Sequence, residues 1–290
     1  MDSSRCFAKR IATVPALLGL VGCLTAFQAA ATPFTFSTGA ADGRIATASR
    51  PADAGKSGIE SADDFVINSL TTINSATFTG LLTSAGGLTP TLGDVRVEIY
   101  HVFPKDSVVP PSGNVPTRVN SPSDLALRDF DATAGGLTFS TSVLANSFTA
   151  LNSVINGINK APNQTNGGEG SVNGQELIFS VTFTTPFDLL ADHYFFVPQV
   201  QVTDGEFLWL SATRPIGGAG TPFSPDLQTW VRNDNLAPDW LRVGTDIVGG
   251  NPAPTFNAAF SLNGNTIPEP GTFGLLLLGL TGIAWRRFRQ

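Results

Sequence analysis

Four stretches of this chain alternate apolar and polar residues with period two, and that alternation constrains the fold more than any other feature. Leu137, Phe139, Thr141 and Val143 face one way, with Thr138, Ser140 and Ser142 opposite. Leu177, Phe179, Val181 and Phe183 repeat the pattern against Glu176, Ser180, Thr182 and Thr184. Val95, Val97 and Ile99 alternate with Arg96, Glu98 and Tyr100, and Phe256, Ala258, Phe260 and Leu262 form a last segment of the kind. Successive side chains of a strand point to opposite faces, so each stretch reads as a half-buried strand. Less regular apolar runs at 65–67, 73–78, 194–202 and 207–210 add further strands. Pro198, inside one of them, places that strand at a sheet edge or a bulge, because proline has no N–H to give a ladder. Thr203-Asp204-Gly205-Glu206 reads as a hairpin turn, with Asp-Gly supplying positive φ.

Strands with long connections predict an all-β fold, a two-layer antiparallel β-sandwich that is jelly-roll-like or immunoglobulin-like. The composition agrees: only 14% of residues are charged, while glycine and proline number 30 and 20. The sandwich is expected over residues 32–263. Within it, 104–131 and 156–174 read as loops, 32–58 as irregular, and 123–128 and 147–155 as short helices. Ala62-Asp63-Asp64-Phe65-Val66-Ile67, with Thr72-Ile73 and the later Asp192-His193-Tyr194-Phe195-Phe196 strand, resembles the pattern of many secreted bacterial β-sandwich modules of undefined role. That resemblance implies no functional residues.

The two ends of the chain speak about compartment. Arg5, Lys9 and Arg10 precede a largely apolar run from Ile11 to Phe27, and Ala29-Ala30-Ala31 offers a small-x-small cleavage site. Residues 1–31 therefore read as a signal peptide, and signal peptidase as a partner. A competing reading is a lipobox at Leu20-Val21-Gly22-Cys23, in which Cys23 is lipidated. At the other end, a linker and Pro-Glu-Pro occupy 264–270, an apolar run 271–285, and a basic tail 286–290. As a helix, 271–285 spans about 22 Å, short of the roughly 30 Å of hydrocarbon in a bilayer. It is a marginal anchor, and Arg286, Arg287 and Arg289 hold its far end in the cytoplasm. Pro268 and Pro270 keep the approach to it extended.

This tail resembles the PEP-CTERM sorting signal of Gram-negative bacteria, which has the same three parts in the same order. The resemblance implies an exosortase-type processing enzyme as partner and Pro268, Glu269 and Pro270 as the recognition element. It implies transient anchoring in the inner membrane, then the cell surface or extracellular space.

The exported part carries little visible chemistry. Setting aside Asp2, Arg5, Lys9 and Arg10 in the leader and Glu269, Arg286, Arg287 and Arg289 in the tail leaves 11 basic and 21 acidic residues, a net of −10. Such a domain repels nucleic acid, which excludes it as a partner class. Cys6 and Cys23 are the two cysteines, so a chain starting at Thr32 has no disulfide or thiolate metal site. His101 and His193 come from different segments and read as structural histidines. Gly-x-Ser-x-Gly, P-loop and dinucleotide fingerprints are absent, and no enzyme is expected. A paired-acid glycan hydrolase is the least favoured reading, since Glu98, Glu169, Glu176 and Glu206 each suit a solvated face or turn. Asp124, Asp129 and Asp131 are the candidate calcium ligands, with Asp63-Asp64 beside a strand start; turn chemistry and solvation compete with that reading. Trp230 and Trp240, in the irregular stretch 228–242, are the candidate glycan contacts, whereas Trp209 reads as core. The functional expectation is a structural or adhesive surface or matrix protein associated with exopolysaccharide in biofilm; the alternative is a carbohydrate-binding module.

Overall fold

The computed structural model describes residues 31–53, 55–159, 165–214 and 226–267. They form fourteen strands: β1 (Thr32–Ser37), β2 (Ala41–Ala48), β3 (Ile59–Ile67), β4 (Thr71–Ser84), β5 (Thr91–Val102), β6 (Pro122–Asp131), β7 (Leu137–Ala150), β8 (Ser153–Val154), β9 (Val172–Leu189), β10 (Asp192–Thr203), β11 (Gly205–Ala212), β12 (Trp230–Asn233), β13 (Leu241–Arg242) and β14 (Phe260–Thr266). One turn of π-helix, Val243–Val248, follows β13.

The strands make an eight-stranded and a six-stranded sheet, as a two-layer sandwich requires. In the first, β4 is the spine. One of its edges takes β9, which in turn takes β7. The other takes β14 along its first half and β11 along its second. β1 adds to β14, β2 to β11, and β8 runs parallel to β2. The second sheet runs β13-β12-β3-β10-β5-β6.

Period-two alternation places the core between the sheets. Phe65, Ile67, Tyr194 and Phe196 of the second sheet cluster with Phe78, Phe179, Phe207, Trp209 and Phe260 of the first. Phe78 stacks on Phe179 with centroids 4.8 Å apart, and Phe196 on Phe260 at 5.0 Å. Such pairs contribute about 0.5–1.5 kcal/mol each beyond their buried area. Trp209 is fully buried, with Nε1 donating to the Ala259 carbonyl at 2.9 Å.

Several local expectations are corrected. Residues 32–58 are not irregular, because they contain β1 and β2. Residues 123–128 are not helical but lie in β6, which also ends the loop expected over 104–131. Residues 147–155 contain the end of β7 and β8 rather than a helix. In each case a neighbouring strand offers unpaired N–H and C=O groups, and pairing with it outweighs local propensity. The 203–206 turn forms with Asp204 at φ 59°, yet it is no hairpin. β10 belongs to one sheet and β11 to the other, so the turn is a corner between layers. Gly205 is required there by close approach: a Cβ would lie 2.1 Å from the Thr83 carbonyl oxygen.

β10 is also central rather than an edge, lying between β3 and β5. Pro198 is tolerated because pairing with β3 ends at Phe196. The Pro198 carbonyl accepts the Ser49 hydroxyl. The N–H and C=O of one strand residue point to the same side, so the missing donor faces the side β3 has left. A register shift with β5 follows between Val200 and Val202.

The two ends of the described sandwich meet. Thr32 of β1 pairs with Thr266 of β14.

Candidate functional site

The solvent face of the first sheet is a lattice of hydroxyls. Register places Thr35, Asn263, Ser75, Thr182 and Thr138 in one row across β1, β14, β4, β9 and β7. Ser37, Ser261, Thr77, Ser180 and Ser140 form the next row across the same five strands. Strands lie about 4.8 Å apart and same-face residues about 6.8 Å apart along a strand, so the two rows form a regular grid. Every member is neutral. Thr77 and Ser261 share a hydrogen bond of 2.7 Å, and the β7 and β9 members are exposed.

A groove of about 290 Å³ opens on this face. Ser37, Thr77 and Ser261 supply hydroxyls to it, Ile178 and Leu144 apolar surface, and Glu176 a carboxylate. Burial raises the Glu176 carboxyl above its ordinary value. Hydroxyls donate and accept, so the grid can exchange hydrogen bonds with a polyhydroxylated molecule while Ile178 and Leu144 take its C–H faces.

The outer face of the second sheet is different, being covered by the chain. Trp230 and Trp240 are 2% and 0% exposed and pack with Ala62, Tyr100, Phe195 and Val197. The expectation that they present faces to a glycan is therefore corrected: both indoles are core. Trp240 Nε1 donates to the Ser123 carbonyl at 3.1 Å, and its ring lies 4.3 Å from the Arg232 guanidinium. The signal for this was available, because Tyr194-Phe195-Phe196-Val197 is apolar on both faces and such a strand needs a cover on each.

Beside Trp240 lies a polar network that the sequence reading missed. Arg232 Nε and Nη2 each donate to Glu60 Oε2 at 2.7 Å, and the Tyr100 hydroxyl donates to the same oxygen at 3.1 Å. Gln199 Nε2 donates to Glu98 Oε2 at 2.7 Å. Burial, and then the charge of Glu60, push the Glu98 carboxyl up to about 8. Glu98 was expected on a solvated face; at 8% exposure it is buried. These carboxylates tie neighbouring strands of the second sheet together, Glu60 linking β3 to β12 and β5 and Glu98 linking β5 to β10. Glu206 is an ion-pair partner of Arg50 and Lys56, at 2.8 and 3.0 Å. Glu169 accepts backbone N–H groups of Ile155, Asn156 and Gly157, which order that loop.

The aspartates are not gathered as a calcium site. Asp124, Asp129 and Asp131 lie along β6 rather than in one loop. Asp124 pairs with buried Arg118 at 2.7 Å, and Asp129 and Asp131 each lie 3.5 Å from Arg96. Against the cost of burial, the Val108 N–H and Arg118 hold Asp124 below its usual value. Among the described residues no group of three His, Cys, Asp or Glu is arranged to hold a metal ion. Asp63 and Asp64 are buried inside β3. Asp63 accepts the Ala258 N–H at 2.9 Å, while Asp64 lies 2.6 Å from His193 Nε2. Burial, and then Asp64, push Asp63 well above the usual range. His101 Nδ1 lies 2.5 Å from Asp106. Both histidines are paired with aspartates.

The fold and this face define a β-sandwich with one neutral, hydroxyl-rich sheet face. The tail bears on its export: residues 266–289 match the family model of the PEP-CTERM protein-sorting motif. The chain is thus an exported, C-terminally sorted PEP-CTERM protein, and the motif implies processing by an exosortase-type enzyme and membrane-associated sorting. No curated protein and no solved structure was found to match the chain. Pro268, Glu269, Pro270, Arg286, Arg287 and Arg289 lie outside the described residues, as do the helix expected over 271–285 and residues 1–30 of the leader. Among the described residues no helix is long and apolar enough to cross a membrane.

Proposed function

We propose that this is a non-enzymatic surface or extracellular-matrix protein, structural or adhesive, that associates with exopolysaccharide through the hydroxyl face of the first sheet. The observation that supports this most is the register-aligned pair of neutral rows beside the groove. A neutral hydroxyl grid is suited to a polymer of hydroxyls, and in an acidic exported chain it leaves an uncharged face for that polymer. The leader is removed by signal peptidase, the tail anchors the chain transiently in the inner membrane, and cleavage near Pro268-Glu269-Pro270 releases it.

The test is affinity electrophoresis of the exported protein in gels cast with the producing cell's own polysaccharide. Thr35→Glu with Ser180→Glu puts one charge into each row at exposed positions three strands apart and should abolish the retardation while leaving the melting temperature within about 2 °C, as surface changes usually do. Retardation that survives this double change overturns the hydroxyl-face reading. Retention of residues 271–290 in the extracellular species overturns the processing step.

The groove favours a second reading, a carbohydrate-binding module with a discrete subsite at Leu144, Glu176 and Ile178. Competition by short oligosaccharides at micromolar concentration distinguishes it from polymer adhesion. A glycan hydrolase is not advanced, since it needs two carboxyls across a cleft and Glu176 is the one carboxylate lining the groove.

A further inference from the structure

The margins of the two sheets are protected unequally. A strand at a sheet edge presents a row of unpaired N–H and C=O groups, and proteins blunt such edges with charge, proline or brevity. The second sheet ends on β13, which has two residues, and on β6, which carries Pro122, Asp124, Arg128, Asp129 and Asp131. The first sheet ends on two-residue β8 and on β1, which carries Pro33. From Leu137 to Val143 β7 has none of these devices, and its register shifts against β9 lie beyond that stretch. The strand is fourteen residues long, Leu-Thr-Phe-Ser-Thr-Ser-Val-Leu-Ala-Asn-Ser-Phe-Thr-Ala, without charge or proline. Among the described residues β9 is its one strand partner.

We propose that β7 pairs antiparallel with β7 of a second copy of this chain about a two-fold axis, joining two first sheets into one. An antiparallel strand pair maps onto itself under a two-fold rotation, so a bare edge is complementary to its own copy. Charge selects the same place. The exported part is strongly acidic and repels itself, but this edge brings no like charges together. Burial adds a third argument. On the face turned toward the second sheet, Leu137 is buried and Phe139 half-buried, but Thr141 is exposed and Val143 is 50% exposed. Val143 is apolar surface there which a second copy would cover.

The pairing has a definite register. β7 follows β9 regularly from Leu137 to Val143 and shifts beyond it. The regular stretch centres on Ser140, which therefore lies on the axis opposite its own copy, with Leu137 facing Val143 and Phe139 facing Thr141. The row through Ser140 then continues across the joint into the same row of the copy. The inference does not depend on what those rows bind.

Sedimentation velocity of the exported protein from about 1 to 100 µM tests the pairing, the range in which weak specific dimers form. A concentration-dependent dimer is expected. Val143→Lys puts a charge opposite Leu137 of the copy at each end of the joint and should weaken it by about tenfold or more. With Cys6 and Cys23 changed to serine, Ser140→Cys should cross-link to its copy on mild oxidation. Opposed Cα atoms in such a pair lie about 4.5–5.5 Å apart, within the reach of a disulfide. Ser180→Cys, one strand inward in the same row, should stay free. A protein that remains monomeric throughout with an unreacted Ser140→Cys thiol overturns the proposal, as does equal cross-linking at Ser140 and Ser180. Should Val143→Lys fail to fold, the cysteine comparison decides alone.

Discussion

Replacing Trp240 by alanine separates the two roles an indole in this stretch can have. Trp240 is 0% exposed, stands edge-on to Tyr100 with centroids 5.5 Å apart, and lies under the Arg232 guanidinium. Truncation of a buried aromatic costs about 3–5 kcal/mol through lost transfer energy and the residual cavity. The Ser123 carbonyl also loses its indole donor, a group that costs about 1–3 kcal/mol when left buried and unpaired. Water entering the cavity offsets part of this, so about 4 kcal/mol is the expected total. For a domain of this size 1 kcal/mol corresponds to about 2–4 °C, giving a fall of roughly 8–16 °C in melting temperature. Calorimetry with a parallel urea titration measures it, with both proteins at one pH. Polysaccharide retardation of the folded fraction should be unchanged. A melting temperature within about 2 °C of wild type, combined with lost retardation, refutes the reasoning and returns Trp240 to the surface.

Two further outcomes follow from buried charge. Glu98 is raised to about 8 from an ordinary value of 4.5, so the folded state holds its proton more tightly than the unfolded chain. Its contribution is fully present below pH 4.5 and is lost as pH rises through about 8. Glu98→Gln keeps an acceptor for Gln199 and removes the ionisation, so melting temperature measured from pH 5 to 8.5 should decline less steeply than in wild type and be higher at the alkaline end. Arg118 is 4% exposed and bonds Asp239 at 3.0 Å and Asp124 at 2.7 Å. Arg118→Met leaves both carboxylates without their cation, so the stability from a urea midpoint should fall by about 3–5 kcal/mol.

The legible parts of this molecule are those where one local pattern decides. β9 reads correctly because the opposite sheet buries Leu177, Phe179, Val181 and Phe183 while the residues between them meet water. The sorting tail reads correctly because an undersized apolar run between prolines and arginines carries its own physics. β6 was misread because Leu125-Ala126-Leu127-Arg128 has helix-forming residues, and the β5 edge that captures it lies elsewhere in the chain. Trp230 and Trp240 were misplaced because a segment with little regular structure looks solvated until the sheet face it covers is known. The hydroxyl grid lies between these cases. That Ser140, Ser180 and Thr77 face outward follows from alternation, but their alignment into a row needs the register, and three separate strands set it.

Topology relates the sorted end of the chain to the edge proposed for self-association. β14 ends at Thr266, where the sorting motif begins, and it pairs with β1 at one margin of the first sheet. Across the shared rows the order is β1-β14-β4-β9-β7, so β7 is the opposite margin, about 19 Å from β1 at four strand spacings. A chain held through its C-terminal end therefore keeps β7 on the far margin of the sheet. Pairing through β7 and attachment through β14 do not compete for the same strand. Two such copies would present one hydroxyl face of double width, and on a polymer a second contact forms at the effective concentration set by the first. The reach of that gain is bounded by the sheet twist, since each added strand turns the rows by about 20–25° and carries the far hydroxyls out of line with a straight polymer. Self-association should accordingly strengthen retention on flexible polysaccharide more than on a stiff, crystalline one.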